Sequence, residues 1–109
     1  MNKVMLAGKL AKDVEVSVLE SGKEVINITL AVNRSYKNAD GIYDVDFIDC
    51  VLCDELSNNI KEYCKKGDLI GIRGRLETSI YQKDKVFHRT MDVVVEKLIL
   101  LSSMKKEAD

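Results

Sequence analysis

Three stretches of this chain set aromatic rings among cations: Asn33-Arg34-Ser35-Tyr36-Lys37-Asn38, Asp46-Phe47-Ile48-Asp49-Cys50-Val51, and the run from Arg73 and Arg75 to Tyr81. Rings interleaved with positive charge suit single-stranded nucleic acid, because every base has a π-face to stack and Arg and Lys meet phosphates. Covalent chemistry has thinner support. His88 is the one histidine, and a lone strand histidine is ordinarily a surface or packing residue. Cys50-x-x-Cys53 has the spacing of a metal pair, but strand residues three apart point to opposite faces. Cys64 is the third cysteine, and no fourth ligand completes the set a structural zinc needs. Cys50 and Cys64 read instead as core thiols. Gly71-Ile72-Arg73-Gly74-Arg75 lacks the spacing of a phosphate loop, and glycine within a strand marks a bulge or a bend. No enzyme activity, metal or cofactor is assigned.

Composition is consistent with a binding module. A chain of 109 residues with 46% hydrophobic residues suits one small domain with a modest core. No apolar run approaches the ~20 residues of a membrane helix. The alternating start Met1-Asn2-Lys3-Val4-Met5-Leu6 is unlike a signal peptide. An odd cysteine count fits a reducing compartment, so a cytoplasmic location is expected. Net charge is −1, which alone argues little for a polyanion ligand. The charges are unevenly spread. Asp40, Asp44, Asp46, Asp49, Asp54 and Glu55 cluster without a cation between them, whereas Lys61, Lys65, Lys66, Arg73, Arg75, Lys83, Lys85 and Arg89 dominate the following segment.

The elements that must position these groups read mostly as strands. Residues 3–10 alternate, residues 14–19 form a short run, and Ile26, Ile28, Leu30 and Val32 share one face of a strand over 25–33. Asp40-Gly41 is a hairpin dipeptide leading into a strand over 43–53. One helix is expected from Asp54 to Lys66. Asp54 caps it, Leu56, Ile60, Tyr63 and Cys64 form its apolar face, and Gly67 takes the left-handed position after it. Strands resume over 69–81 and 86–101 around a turn at 82–85. The expected fold is all-β: an OB-fold, a five-stranded Greek-key barrel with one helix between strands 3 and 4.

Period-two alternation then sorts the faces. Ile48, Cys50 and Leu52 are expected inside, with Phe47, Asp49, Val51 and Cys53 outside. Ile70, Ile72, Gly74, Leu76 and Ile80 are expected in the core, with Arg73, Arg75, Glu77, Ser79 and Tyr81 opposite. Tyr36 falls in the hairpin loop beside Arg34 and Lys37. Tyr36, Phe47 and Tyr81 are the candidate stacking rings; the alternative is that Phe47 packs under a loop and the tyrosines merely face solvent.

The chain resembles the bacterial single-stranded DNA-binding protein family over about residues 1–101. The resemblance rests on residues 2–10, residues 28–38, Asp46-Phe47-Ile48-Asp49-Cys50-Val51, Tyr63-Cys64-Lys65-Lys66-Gly67 and Gly74-Arg75-Leu76-Glu77-Thr78. It implies sequence-tolerant binding of single-stranded DNA in replication, recombination or repair, and assembly into a homotetramer. It also implies that Tyr36, Phe47 and Tyr81 stack bases while Lys3, Arg34, Lys37, Arg73 and Arg75 contact phosphates. One family stacking aromatic is replaced by Cys53, and Asp49, Asp54, Glu55, Glu77 and Ser79 thin the positive face. Typical members continue into a Gly/Pro/Gln-rich linker and an acidic tip that recruits repair proteins. This chain stops at Asp109, with residues 1–103 as the expected domain and 104–109 as a short disordered tail. It resembles short, tail-less paralogues of some Gram-positive bacteria and mobile elements, or a trimmed piece of a longer protein. The competing reading is a diverged oligomeric OB-fold protein whose main ligand is another protein.

Overall fold

A computed structural model describes residues 1–52 and 63–102. The strands are β1 (Val4–Leu10), β2 (Glu15–Val18), β3 (Glu24–Lys37), β4 (Tyr43–Leu52), β5 (Leu69–Lys83) and β6 (Val86–Ser102). They hydrogen-bond in the order β1-β5-β6-β4-β3-β2, and β1 also pairs with β3. That extra pairing closes five strands into a barrel and leaves β2 as a flap on β3. Every neighbouring pair is antiparallel except β4 with β6, where Cys50, Val51 and Leu52 run parallel to Val93, Val94 and Val95. This closed Greek-key arrangement is the OB-fold. The helix expected over 54–66, and Cys53 before it, lie outside the described residues apart from the segment's end, where Tyr63 is helical. Gly67 has φ +92°, the left-handed backbone its position called for.

Closure depends on close backbone approach. β1 pairs with β5 from Val4 to Lys9 and with β3 only through Lys9↔Ala31 and Leu10↔Leu30. A Cβ at Gly8 would lie 2.5 Å from the Ala31 carbonyl oxygen, so a larger residue there would push β3 away. Inside, Leu10, Ile28, Leu30, Cys50, Ile70 and Val95 are fully buried. Val93 and Val95 face this core, yet so do Leu98 and Leu100. The switch in parity comes from a bulge: Arg73 pairs with Lys97 and Gly74 with Val95, which leaves Glu96 unpaired.

Both long hairpins outrun the barrel. On β5 burial ends at Gly74 and on β6 it begins at Val93, so residues 76–91 form a projecting arm. Leu76 and Ile80, expected in the core, are therefore exposed. Their alternation is that of a core face, but there is no barrel beneath them. The β3–β4 hairpin is not a two-residue Asp-Gly turn. Its loop is Ala39-Asp40-Gly41, with Gly41 at φ +77° and the Asn38 amide donating to the Ile42 carbonyl. The Asn38 side-chain oxygen accepts from the amides of Asp40 (2.8 Å) and Ile42 (3.0 Å) and so organises the loop.

Two predictions follow from this frame. The arm turns through Asp84 and Lys85, both at positive φ (52° and 64°), where glycine is favoured at the second position. Lys85→Gly is expected to stabilise the fold by about 1 kcal/mol, since a left-handed non-glycine residue costs ~1–2 kcal/mol. A urea midpoint that fails to rise at unchanged slope counts against a strained turn.

The second concerns the thiols. Burial pushes Cys50 up to about 12, helped by Asp49, and Cys64 up to about 11, helped by Asp68. The stability tied to these raised values is fully present below the ordinary thiol range and is lost as pH climbs through them. At pH 8 no more than one of the three cysteines should react quickly with an aromatic disulfide reagent, because the thiolate is the reacting form. Two or more fast equivalents in the folded protein would contradict this burial.

Candidate nucleic-acid interface

Alternation along β4 puts Phe47 and Asp49 outside, and the register sets them beside Ala31 and Thr29 of β3. Phe47 is 68% exposed, so it does not pack under a loop. The Thr29 hydroxyl donates to Asp49 Oδ1 at 2.7 Å and fixes that carboxylate on the same face. Tyr36 lies at the end of β3 rather than in the loop; it is 62% exposed. Lys37 pairs with Tyr43 in the ladder, and its ammonium sits 5.7 Å from that ring's centroid. Tyr81 is on the arm, paired with His88. Their rings stack at 5.0 Å with 19° between planes. Sequence reasoning left His88 without a role, since only the register brings it to Tyr81.

The cations divide into paired and unpaired groups. Arg34 is gripped by Asp46, with Nε to Oδ2 at 3.1 Å and Nη2 to Oδ1 at 2.9 Å, and Asp44 stands 3.8 Å away. Those hydrogen bonds hold the Asp46 carboxyl below the usual carboxylate range and raise the guanidinium further above its own. Arg75 is shared between Glu77 and Glu96, the latter at 2.6 Å, and both contacts raise its pKa. Two of the expected phosphate contacts are thus already neutralised. Lys3 and Arg73 make no ion pair among the described residues and are exposed. Register puts Arg73 beside Met5 and Lys97, in the β1–β5–β6 part of the barrel, whereas Phe47 neighbours β3. The expected site residues therefore lie on separate parts of the surface: the β3–β4 hairpin, the arm, and the outer face of β1 and β5.

Asn2 is a further positioning residue that sequence reasoning did not single out. Its carboxamide donates to the Leu76 carbonyl and accepts from the Leu76 amide, both at 2.9 Å. This two-point clamp holds the segment carrying Lys3 against the root of the arm. No periodic signal marks it, because it precedes the strand.

A closed five-stranded barrel with two long exposed hairpins defines an oligonucleotide-binding type of fold. The family model described as the single-strand binding protein family matches residues 1–101, and the chain belongs to that family. It is 42% identical over 84 residues to Single-stranded DNA-binding protein B of Bacillus subtilis, covering 77% of this chain and 74% of that protein. It is 36% identical over 110 residues to Single-stranded DNA-binding protein 3 of Streptococcus agalactiae, covering 98% and 78% respectively. Among solved structures, the Plasmodium falciparum SSB complex with ssDNA superimposes with a TM-score of 0.75 over 94% of this chain and 96% of that one. At 22% identity this likeness bears on the fold alone.

Proposed function

We propose that this protein binds single-stranded DNA without sequence preference and without catalysing a reaction, in replication, recombination or repair. The supporting observation is the exposure of Tyr36, Phe47 and Tyr81 on the surface of a chain that the single-strand binding protein family model matches. Bases stack on these rings, while Lys3, Lys37 and Arg73 meet phosphates. Arg34 and Arg75 contribute only when phosphate displaces their carboxylates. Residues 1–103 act as one binding domain, in a cytoplasmic, nucleoid-associated setting.

The competing reading, a protein-binding module with DNA binding largely lost, draws on those same neutralised arginines. A fluorescent oligo-dT of ~35 nucleotides, long enough for OB-folds that each occupy ~4–16, separates the two. Binding at micromolar protein that weakens steeply with salt is expected. No binding at low salt overturns the DNA reading.

The acidic residues provide a second test. Replacing Glu77 and Glu96 together by Gln frees Arg75, and affinity should rise with a salt slope steeper by about one ion. An unchanged slope would mean that Arg75 faces away from the strand.

Assembly is part of the proposal. Among the described residues the β1 edge from Val4 to Gly8 has no partner on the β3 side, and an open edge invites pairing with another chain. Met5 and Ile99 line a groove of about 370 Å³ nearby, and exposed Leu101 adds to the apolar surface. A homotetramer is expected, built with β1 against a second copy. Light scattering should report four chains for the wild type and fewer for Met5→Glu with Ile99→Glu. A wild-type mass that stays monomeric at all concentrations removes the claim.

A further inference from the structure

The arm of residues 76–91 has two faces, and only one carries a residue assigned above. Opposed residues of an antiparallel pair share a face, and successive rungs alternate. Tyr81↔His88, Ser79↔Thr90 and Glu77↔Asp92 lie on one side. Gln82↔Phe87, Ile80↔Arg89 and Thr78↔Met91 lie on the other. Phe87 is 72% exposed, more than any other described aromatic, and Ile80 and Met91 are exposed beside it. An apolar strip on a projecting two-stranded arm has no core to fill.

The charges around the strip indicate what covers it. Lys83, Lys85 and Arg89 stand on the arm against two acids, Asp84 and Glu77, and Glu77 is already paired with Arg75. None of these three cations is in an ion pair among the described residues, in contrast to Arg34 and Arg75. The tip also keeps Lys85 at φ +64° where glycine would be relaxed. Strain retained at an exposed turn is a pointer to use. A ring, a guanidinium on the neighbouring rung and lysines at the tip repeat the chemistry that stacks bases and meets phosphates.

We propose that Phe87 is a further base-stacking residue, with Arg89 on the same face and Lys85 at the tip as its phosphate contacts. One strand of nucleic acid then passes around the arm, stacking on Tyr81 and His88 on one face and on Phe87 on the other. This rests on the single-stranded DNA reading above.

The chain has no tryptophan, so Phe87→Trp and Tyr81→Trp each give a clean reporter in the full-length protein. Oligo-dT of about 35 nucleotides should quench both. Phe87→Ala should weaken binding by about tenfold, within the range that loss of one base–aromatic stack produces. Quenching at Tyr81→Trp but not at Phe87→Trp, with wild-type affinity for Phe87→Ala, overturns the proposal and leaves the DNA reading intact. No binding by any variant or the wild type overturns both. Unchanged DNA affinity with a lower assembly mass for Phe87→Ala overturns it in favour of contact between copies.

Discussion

The change of partner along β1 is the constraint on which the rest depends. For most of its length this strand is a neighbour of β5, and only at Lys9 and Leu10 does it turn to β3. Two rungs close the barrel. They are possible because Gly8 has no side chain to strike the Ala31 carbonyl. Closure gives Leu10, Leu30 and Ile70 a common interior. It also spares most of the sheet from open edges, leaving one side of β1 without a partner strand among the described residues.

What projects from the barrel follows from what fits inside it. Once the interior is filled by Ile28, Leu30, Cys50, Ile72 and Val95, strands longer than the barrel is tall must continue into water. Both hairpins do so, and the exposed rings collect on them and on the adjoining outer wall. The ion pairs are arranged differently. Arg34 and Arg75 lie on the outward surface with carboxylates already in place, so any polyanion must compete with an internal counter-ion. Exposed pairs of this kind contribute little to stability. Their effect is on the surface potential, lowering the positive charge without removing the cations. That balance suits weak, reversible contact better than tight clamping.

Much of the frame was legible in the sequence. Ile26, Ile28 and Leu30 alternate with polar neighbours, and one face had to be inside. The strand order and the helix-length gap before Gly67 then specified the architecture. Other features depended on distances along the chain that local pattern does not encode. The Arg34–Asp46 and Arg75–Glu96 pairs arise from cross-strand register, as does the stacking of His88 on Tyr81. Leu76 and Ile80 have the periodicity of core residues, but periodicity reports which face a residue is on, and not whether anything lies beneath that face. Asp40-Gly41 signalled a turn correctly, yet Asn38, two residues earlier, sets its length by binding two amides.

The unpaired Glu96 in β6 acts as a phase shifter. Before it, odd-numbered valines point inward; after it, even-numbered leucines do. Straight alternation through it, or one further inserted residue, would send Ile99 and Leu101 inside and expel Leu98 and Leu100, whereas deleting it would keep those leucines inside but remove the bulge. Deletion would also strip Arg75 of a partner and shift the backbone that crowds Gly74, where a Cβ would strike the Val94 carbonyl oxygen. Length changes should thus be strongly selected against at this position and readily absorbed at the tip of the arm, sixteen residues of which project beyond the packed interior. The strand is indel-intolerant at its middle and permissive at one end, and relatives that differ in length are expected to differ at the arm.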